Sequence, residues 1–376
     1  MRGLQPGDRG VPRPPRANGV APLAASFPRM LSLRSHPRIR RLVERAARRS
    51  LRAVGAKEAP TSVARRVAPG LLATEGSVVT NRLFESLEPT DVTSVENQIS
   101  QDAHLALQYS TPVDEAARQQ MILTFGAWLA NPGLLERTGL SAAQPPDDVH
   151  AMARGPLAAA GGLYEADMVI DALMSAGVDI TGVKNALDFG CSSARVVRVL
   201  AAAYPEVHWY GCDPNTPAIA WASENLPEID FFVSGHAAPL PLGDASLDAV
   251  YAISIWSHFE PALGLRWFEE MRRVLRPGGH LVCTTHGLNS IAYYDEVKLR
   301  TASQLSEIAK TVYRLGWWYA QEFGEEGDWG VVNPDWGTAF LSPEWMLAQL
   351  CPRWRVLEFA PGRNQDNQDV YVLQRV

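Results

Sequence analysis

Cysteine is scarce in this chain. Four of its 376 residues are cysteine, Cys191, Cys212, Cys283 and Cys351, and no two stand in C-x-x-C spacing. That excludes a compact zinc ligand set and gives no disulfide framework. Three of the four fall on or beside predicted strand ends, so buried, reduced thiols in a cytoplasmic protein are expected, with no metal site. Long apolar runs are missing as well. None approaches the roughly 18–20 residues that a membrane helix needs, so no transmembrane segment is expected. Residues 17–28 are too rich in proline for a signal h-region. Acidic side chains are nearly absent from one end: residues 1–72 hold 16 Lys/Arg against Asp8, Glu44 and Glu58, a net of +13. The rest keeps 19 basic and 38 acidic residues, a net of −19, so a basic arm joined to an acidic globular body is the simplest description.

Within the arm, residues 1–30 have the Pro, Gly and Arg content of a disordered segment, with Met30 as an alternative start. Residues 36–54 form a basic helix candidate, with Ile39, Leu42, Val43, Ala46, Ala47 and Leu51 at helical spacing and arginines on the other face. Contact with an anionic surface is its functional reading. A solvated arm, or a helix packed on the acidic body, is the favoured one, because no aromatic residue accompanies the arginines. No nucleic-acid module is present, and none is expected as a partner.

What is present begins with an amino-terminal helical cap over residues 81–162, where helical stripes are separated by Pro/Gly breaks. From residue 163 to the end, strands and helices alternate, which predicts a doubly wound parallel sheet. Residues 247–255 read as a continuous apolar strand, 263–275 as a helix stopped by Arg276-Pro277-Gly278-Gly279, and 280–285 as the next strand. Residues 288–340 interrupt the rhythm with a helix near 303–313 and then Trp317, Trp318, Tyr319, Trp329 and Trp336. This insert reads equally as an acceptor-binding lid or as a satellite core under a long loop. Residues 355–360 and 369–374 predict a closing hairpin.

The sheet's working edge is expected at Leu187-Asp188-Phe189-Gly190-Cys191-Ser192-Ser193, an apolar strand that ends on an acid and makes a small-residue turn into a helix. Asp213 ends a second strand 25 residues after Asp188, where an acid accepts hydrogen bonds from a ribose. Gly190-Cys191-Ser192-Ser193-Ala194-Arg195 lacks the G-x-G-x-x-G of a dinucleotide-binding dehydrogenase, which counts against that rival.

Together with Gly235-His236-Ala237 through Asp248, and Glu270 through Gly279, these stretches resemble the class I S-adenosylmethionine-dependent methyltransferases over roughly residues 160–287. The resemblance implies a Rossmann-like α/β fold with a doubly wound seven-stranded sheet, mostly parallel with a closing antiparallel hairpin, and S-adenosyl-L-methionine as cofactor. It implies that Asp188, Gly190 and Cys191 shape the methionine end, with Asp188 near its ammonium group. Asp213 would meet the ribose, His236 and Ala237 the adenine, and Ser254 would lie under the sulfonium, with Tyr164 closing over the cofactor. The sequence departs from the family at Ser192 and Ala194, which replace two glycines, and at His236, which replaces an acid. The implied activity is methyl transfer to a small-molecule, natural-product or glycan acceptor, with O-methylation expected. A cofactor-binding scaffold without transfer is the alternative. If a base is used, His258 after the fourth strand is the first candidate, with a histidine bonded to loop backbone as the competing reading, and His286 is the second.

Overall fold

The side chains of β1 (Asn185–Phe189) alternate between two cores: Ala186 packs with one apolar cluster, Leu187 and Phe189 with another. Period-two alternation with both faces apolar is what a strand covered by helices on both sides requires. The same division runs through β2 (His208–Asp213), β3 (Asp230–Val233), β4 (Leu247–Ala252) and β5 (Leu275–His286). The computed structural model describes residues 77–110, 115–152, 156–160, 162–322, 333 and 335–376. The basic arm, its helix candidate at 36–54, Trp329 and residues 325–328 lie outside the described residues.

The described residues begin with α1 (Val78–Phe84), α2 (Pro89–Gln101), α3 (Ala103–Tyr109), α4 (Glu115–Trp128), α5 (Pro132–Thr138) and α6 (Pro156–Ala160). Then α7 (Leu163–Ser175) leads into β1, with α8 (Val197–Ala203) and α9 (Thr216–Asn225) crossing between strands and α10 (Pro261–Val274) between β4 and β5. The cap is fastened by one buried carboxylate. Asp167 of α7 accepts from Val79 N at 2.7 Å, Thr80 N at 3.0 Å and Thr80 Oγ1 at 2.5 Å, so it satisfies the first amides of α1. Val79, Val95, Leu123 and Leu134 then share a core with Leu163, Val169 and Leu200. Each large apolar side chain buried this way contributes about 1.5–3 kcal/mol.

After β5 come α11 (Leu288–Glu296), α12 (Ala302–Leu315), β6 (Trp317–Ala320), β7 (Thr338–Leu341), α13 (Pro343–Leu350), β8 (Trp354–Asn364) and β9 (Gln368–Arg375). The main sheet has the order β3-β2-β1-β4-β5-β9-β8, with β1 to β5 parallel and β9 antiparallel to both neighbours. This is the expected seven-stranded doubly wound sheet with its closing hairpin.

Three boundaries differ from the sequence reading. β4 stops at Ala252, not 255, because the chain turns at Ser254, whose φ is +64°. The Arg276–Gly279 stretch belongs to β5, which takes it up through a register shift opposite residues 247–249, with Gly278 at φ +79°. The insert holds an unforeseen α11 and an antiparallel hairpin, β6–β7. Trp318 joins a satellite cluster of Leu305, Ile308, Val312 and Phe340, whereas Trp336 packs on the core under the sheet's working edge. Of the thiols, Cys191, Cys212 and Cys283 are buried as expected, but Cys351 is exposed at the end of α13.

Candidate functional site

The site is built where β1 and β2 end. Gly190 N and Cys191 N both donate to Cys212 O, at 2.8 and 3.0 Å, which draws the turn after β1 against β2. Gly190 has φ +88°, and a Cβ there would lie 2.2 Å from Ile255 Cδ1, so only glycine fits. Ser192 and Ala194 stand where glycines were expected, and both keep left-handed backbones, with φ of +49° and +65°. Such conformations are unfavourable for residues with a Cβ and persist only when the surroundings enforce them. Here Ala194 N donates to Cys191 O at 2.8 Å, and Ser192 N donates to Asp213 Oδ2 at 2.8 Å. His150, from the loop after α5, adds a bond between its Nδ1 and Ser192 Oγ at 3.0 Å. That loop is anchored in turn by the buried Arg198, which donates to Ala143 O at 2.6 Å.

Asp213 uses its second oxygen to accept from Asn215 N at 2.8 Å, the residue that caps α9. Burial raises its pKa, while the two amides pull it back. A carboxylate offers roughly four acceptor positions, so capacity remains for a further donor. Asp188, two residues before Gly190, is buried. Burial pushes its carboxyl up to about 7, with Tyr251 and Arg195 acting in the opposite direction. Arg195 is itself clamped by Glu165 of α7 through Nη1 and Nη2, at 2.9 and 2.8 Å. Gly162, just before α7, packs so closely on the Arg195 carbonyl that a Cβ would fall 2.2 Å from its oxygen.

Around this turn lies a crevice whose lining includes Gly190, Asp213, Ser234, His236, Ile255 and Trp336. Of the expected residues, Gly190, Asp213 and His236 line it directly. Asp188, Cys191, Ala237 and Ser254 stand within two residues in sequence of a lining position without lining it themselves. Tyr164 departs from expectation. Its hydroxyl donates to Arg363 O at 3.1 Å and accepts from Gln365 N at 2.9 Å, so it braces the β8–β9 turn and is not part of the crevice wall.

Ser254 is held from two sides. Its N–H donates to Thr284 Oγ1 at 2.7 Å, and its Oγ accepts from Gln368 Nε2 at 2.6 Å. His258 is half-buried, with Nδ1 3.0 Å from Gly337 O, while Gly337 N donates back to His258 O at 2.9 Å. The competing reading, a histidine bonded to loop backbone, therefore describes its Nδ1. His286, the second candidate, is enclosed. It is buried, its Nδ1 lies 3.1 Å from Ala339 O, and its Nε2 lies 3.3 Å from Gln368 Nε2 and 3.4 Å from Tyr294 Oη. Burial, together with the nearby His258, pushes its pKa down to about 3. The ring is thus held in a hydrogen-bonded network that favours its neutral form. Among the described residues, no group of three or more His, Cys, Asp or Glu side chains is placed to hold a metal ion.

Sequence reading missed His150, Ile255, Gln368 and Trp336 as site residues. His150 and Gln368 come from distant parts of the chain and carry no local signature. Trp336 was one aromatic among several in the insert, and only the fold singles it out.

With this geometry in view, comparison with known proteins is direct. The family model described as "Methyltransferase domain" matches residues 187–283, which run from the Asp188 turn to β5. Residues 187–283 are thus similar to a methyltransferase domain. The chain is also 32% identical, over 47% of its own length and 52% of the relative's, to an uncharacterized 37.1 kDa protein in transposon TN4556 of Streptomyces fradiae. It is 35% identical to phthiotriol/phenolphthiotriol dimycocerosates methyltransferase 1 of Mycobacterium ulcerans, over 28% of this chain and 39% of that one. The chain thus spans about half or less of the length of these relatives. Among solved structures, an S-adenosylmethionine-dependent methyltransferase of Methanosarcina mazei aligns with a TM-score of 0.36 at 19% identity, over 51% of this chain and 92% of its own. The matched stretch contains the Gly190 turn, Asp213, His236 and Ile255, whereas Trp336 reaches the crevice from outside it.

Proposed function

We propose that this chain transfers a methyl group from S-adenosyl-L-methionine to a small-molecule, natural-product or glycan acceptor, with a hydroxyl as the atom methylated. The observation that carries the reading is the placement of Gly190, Asp213 and His236 along one crevice at the carboxyl edge of the sheet, within the matched domain. The residues fit the cofactor. Gly190 presents bare backbone at φ +88° to the crevice, Asp213 keeps acceptor capacity for hydroxyl donors, and the turn retains glycine-like conformations at Ser192 and Ala194.

In this reading Gly190 and Cys191 present backbone to the methionine part, and Asp188 sets the electrostatics beneath its ammonium group. Asp213 accepts from the ribose hydroxyls, and His236 and Ala237 border the adenine. When bound, the sulfonium supplies an electrophilic methyl carbon. The chain's contribution is to hold the acceptor oxygen in line, because alignment and proximity provide most of the rate gain in such displacements. Ser254, fixed by Thr284 and Gln368, sets the path of the loop that carries Ile255 and His258. His258, whose Nδ1 lies 3.0 Å from Gly337 O, is the residue assigned to take the acceptor's proton.

A cofactor-binding scaffold remains the second reading. It is favoured by the fact that both Asp213 oxygens already accept backbone amides. Incubating the full chain with methyl-labelled cofactor and fractionated cell extract separates the two. Label in an isolable product supports the transferase, and binding without any labelled product supports the scaffold.

A further inference from the structure

We infer that Trp336, carried by the insert and outside the matched domain, is a cofactor-contacting residue whose indole N–H donates to the bound nucleoside. The inference rests on the methyltransferase reading and adds a residue and an element to its cofactor site.

Trp336 lines the same crevice as Asp213, Ser234 and His236. Its position is built in. Its backbone bridges to Phe259, its N–H donates to Asn333 O at 3.1 Å, and its ring centroid lies 6.1 Å from that of Phe259. The next residue, Gly337, bonds to His258 O, so the insert and the loop after β4 form one connected wall.

Its donor is unspent. Trp336 Nε1 is buried and has no hydrogen-bond partner among the described residues, and the same is true of Trp267 Nε1 on the same crevice. Trp267 is only 2% exposed. Buried indoles normally find an acceptor, as Trp256 does at Gly264 O (3.1 Å) and Trp209 at Tyr204 O (3.0 Å). Trp354 Nε1 is also unpaired, but that ring does not line the crevice. Two unpaired indole donors on one largely apolar crevice call for a ligand with an aromatic face and in-plane acceptor atoms. A purine nucleoside has both.

The test is calorimetric titration of the full chain, wild type, Trp336→Phe and Trp336→Leu, with S-adenosylhomocysteine and separately with adenosine. Loss of the ring together with its donor weakens both ligands by about tenfold or more in Trp336→Leu, and loss of the donor alone by about threefold to tenfold in Trp336→Phe. Ligand-induced change in tryptophan emission also shrinks in Trp336→Phe, a readout independent of affinity, and circular dichroism verifies that each variant is folded. Unchanged affinity for S-adenosylhomocysteine in both variants overturns the inference while leaving the cofactor reading intact. Weakened S-adenosylhomocysteine with unchanged adenosine also overturns it, because the contact would then lie on the amino-acid side. A wild type that binds neither ligand overturns both the inference and the reading beneath it.

Discussion

Ser192 N–H donates to Asp213 Oδ2 at 2.8 Å, tying the tip of the turn after β1 to the end of β2. The bond explains how a turn short of glycines keeps a glycine-type shape. Asp213 acts as a fixed acceptor that favours the left-handed backbone at Ser192, while His150 holds the Ser192 hydroxyl from the other side. The same carboxylate faces the crevice, so turn geometry and ligand capacity depend on one side chain.

Ser192 is therefore sensitive to side-chain shape at Cβ. Ser192→Val places a β-branched residue at φ +49° and removes the hydroxyl, and should cost about 2 kcal/mol in urea unfolding. Ser192→Gly relaxes the backbone but frees the unfolded chain, so its net effect should stay within about 1 kcal/mol. Equal costs for the two variants would count against strain at this position.

The Glu165–Arg195 pair fastens the first helix of the sheet domain to the turn. Arg195 side-chain exposure is 22% and that of Glu165 is 6%. Glu165→Ala leaves the guanidinium buried without its partner and should lower stability by about 3 kcal/mol. Glu165→Ala combined with Arg195→Met should recover a good part of that loss. A double variant no more stable than the single one would contradict the account.

How much of this was legible beforehand differs by element. The order of strands and crossovers follows from period-two apolar runs and Pro/Gly stops, and Asp188, Gly190 and Asp213 follow from their place at strand ends. Ser192 and Ala194 read as departures that weakened the motif, because sequence cannot show that distant groups hold their backbones left-handed. The partners of Tyr164 and His286 were hidden for a related reason. Proximity to a motif placed the two residues near the crevice, but their partners lie on β7, β9 and the β8–β9 turn, far along the chain. Trp336 needed the β-bridge to Phe259 before it could be distinguished from the other insert aromatics.

Stability should fall as pH rises from about 4 toward neutrality. Burial pushes Asp369 from an ordinary 3.8 up to about 7, with Gly362 N and Asn289 pulling back. The folded state therefore holds this proton more tightly than the unfolded chain. The associated stability is present below about pH 4 and is lost as pH approaches 7, at up to about 1.4 kcal/mol per pH unit for one proton. Asp188, raised in the same direction, adds to the slope. Urea unfolding between pH 5 and 8 should show Asp369→Asn with a shallower decline than wild type. Parallel curves would contradict the assignment.

For turnover, His258→Ala should lower the rate by about a hundredfold or more once an acceptor is in hand, and should flatten the pH–rate profile. His286→Gln should leave the shape of that profile unchanged above about pH 4, because His286 is already neutral there. An unaltered profile in His258→Ala would remove that residue from proton transfer.

The central claim, a cofactor crevice organised by Asp213, is tested most directly by calorimetry of the full chain with S-adenosylhomocysteine. Wild type should bind with measurable heat, and Asp213→Ala should bind at least about tenfold more weakly, since it loses a charged acceptor and releases the Ser192 turn. Absence of heat from wild type at high protein concentration, or equal affinity in Asp213→Ala, would contradict the account.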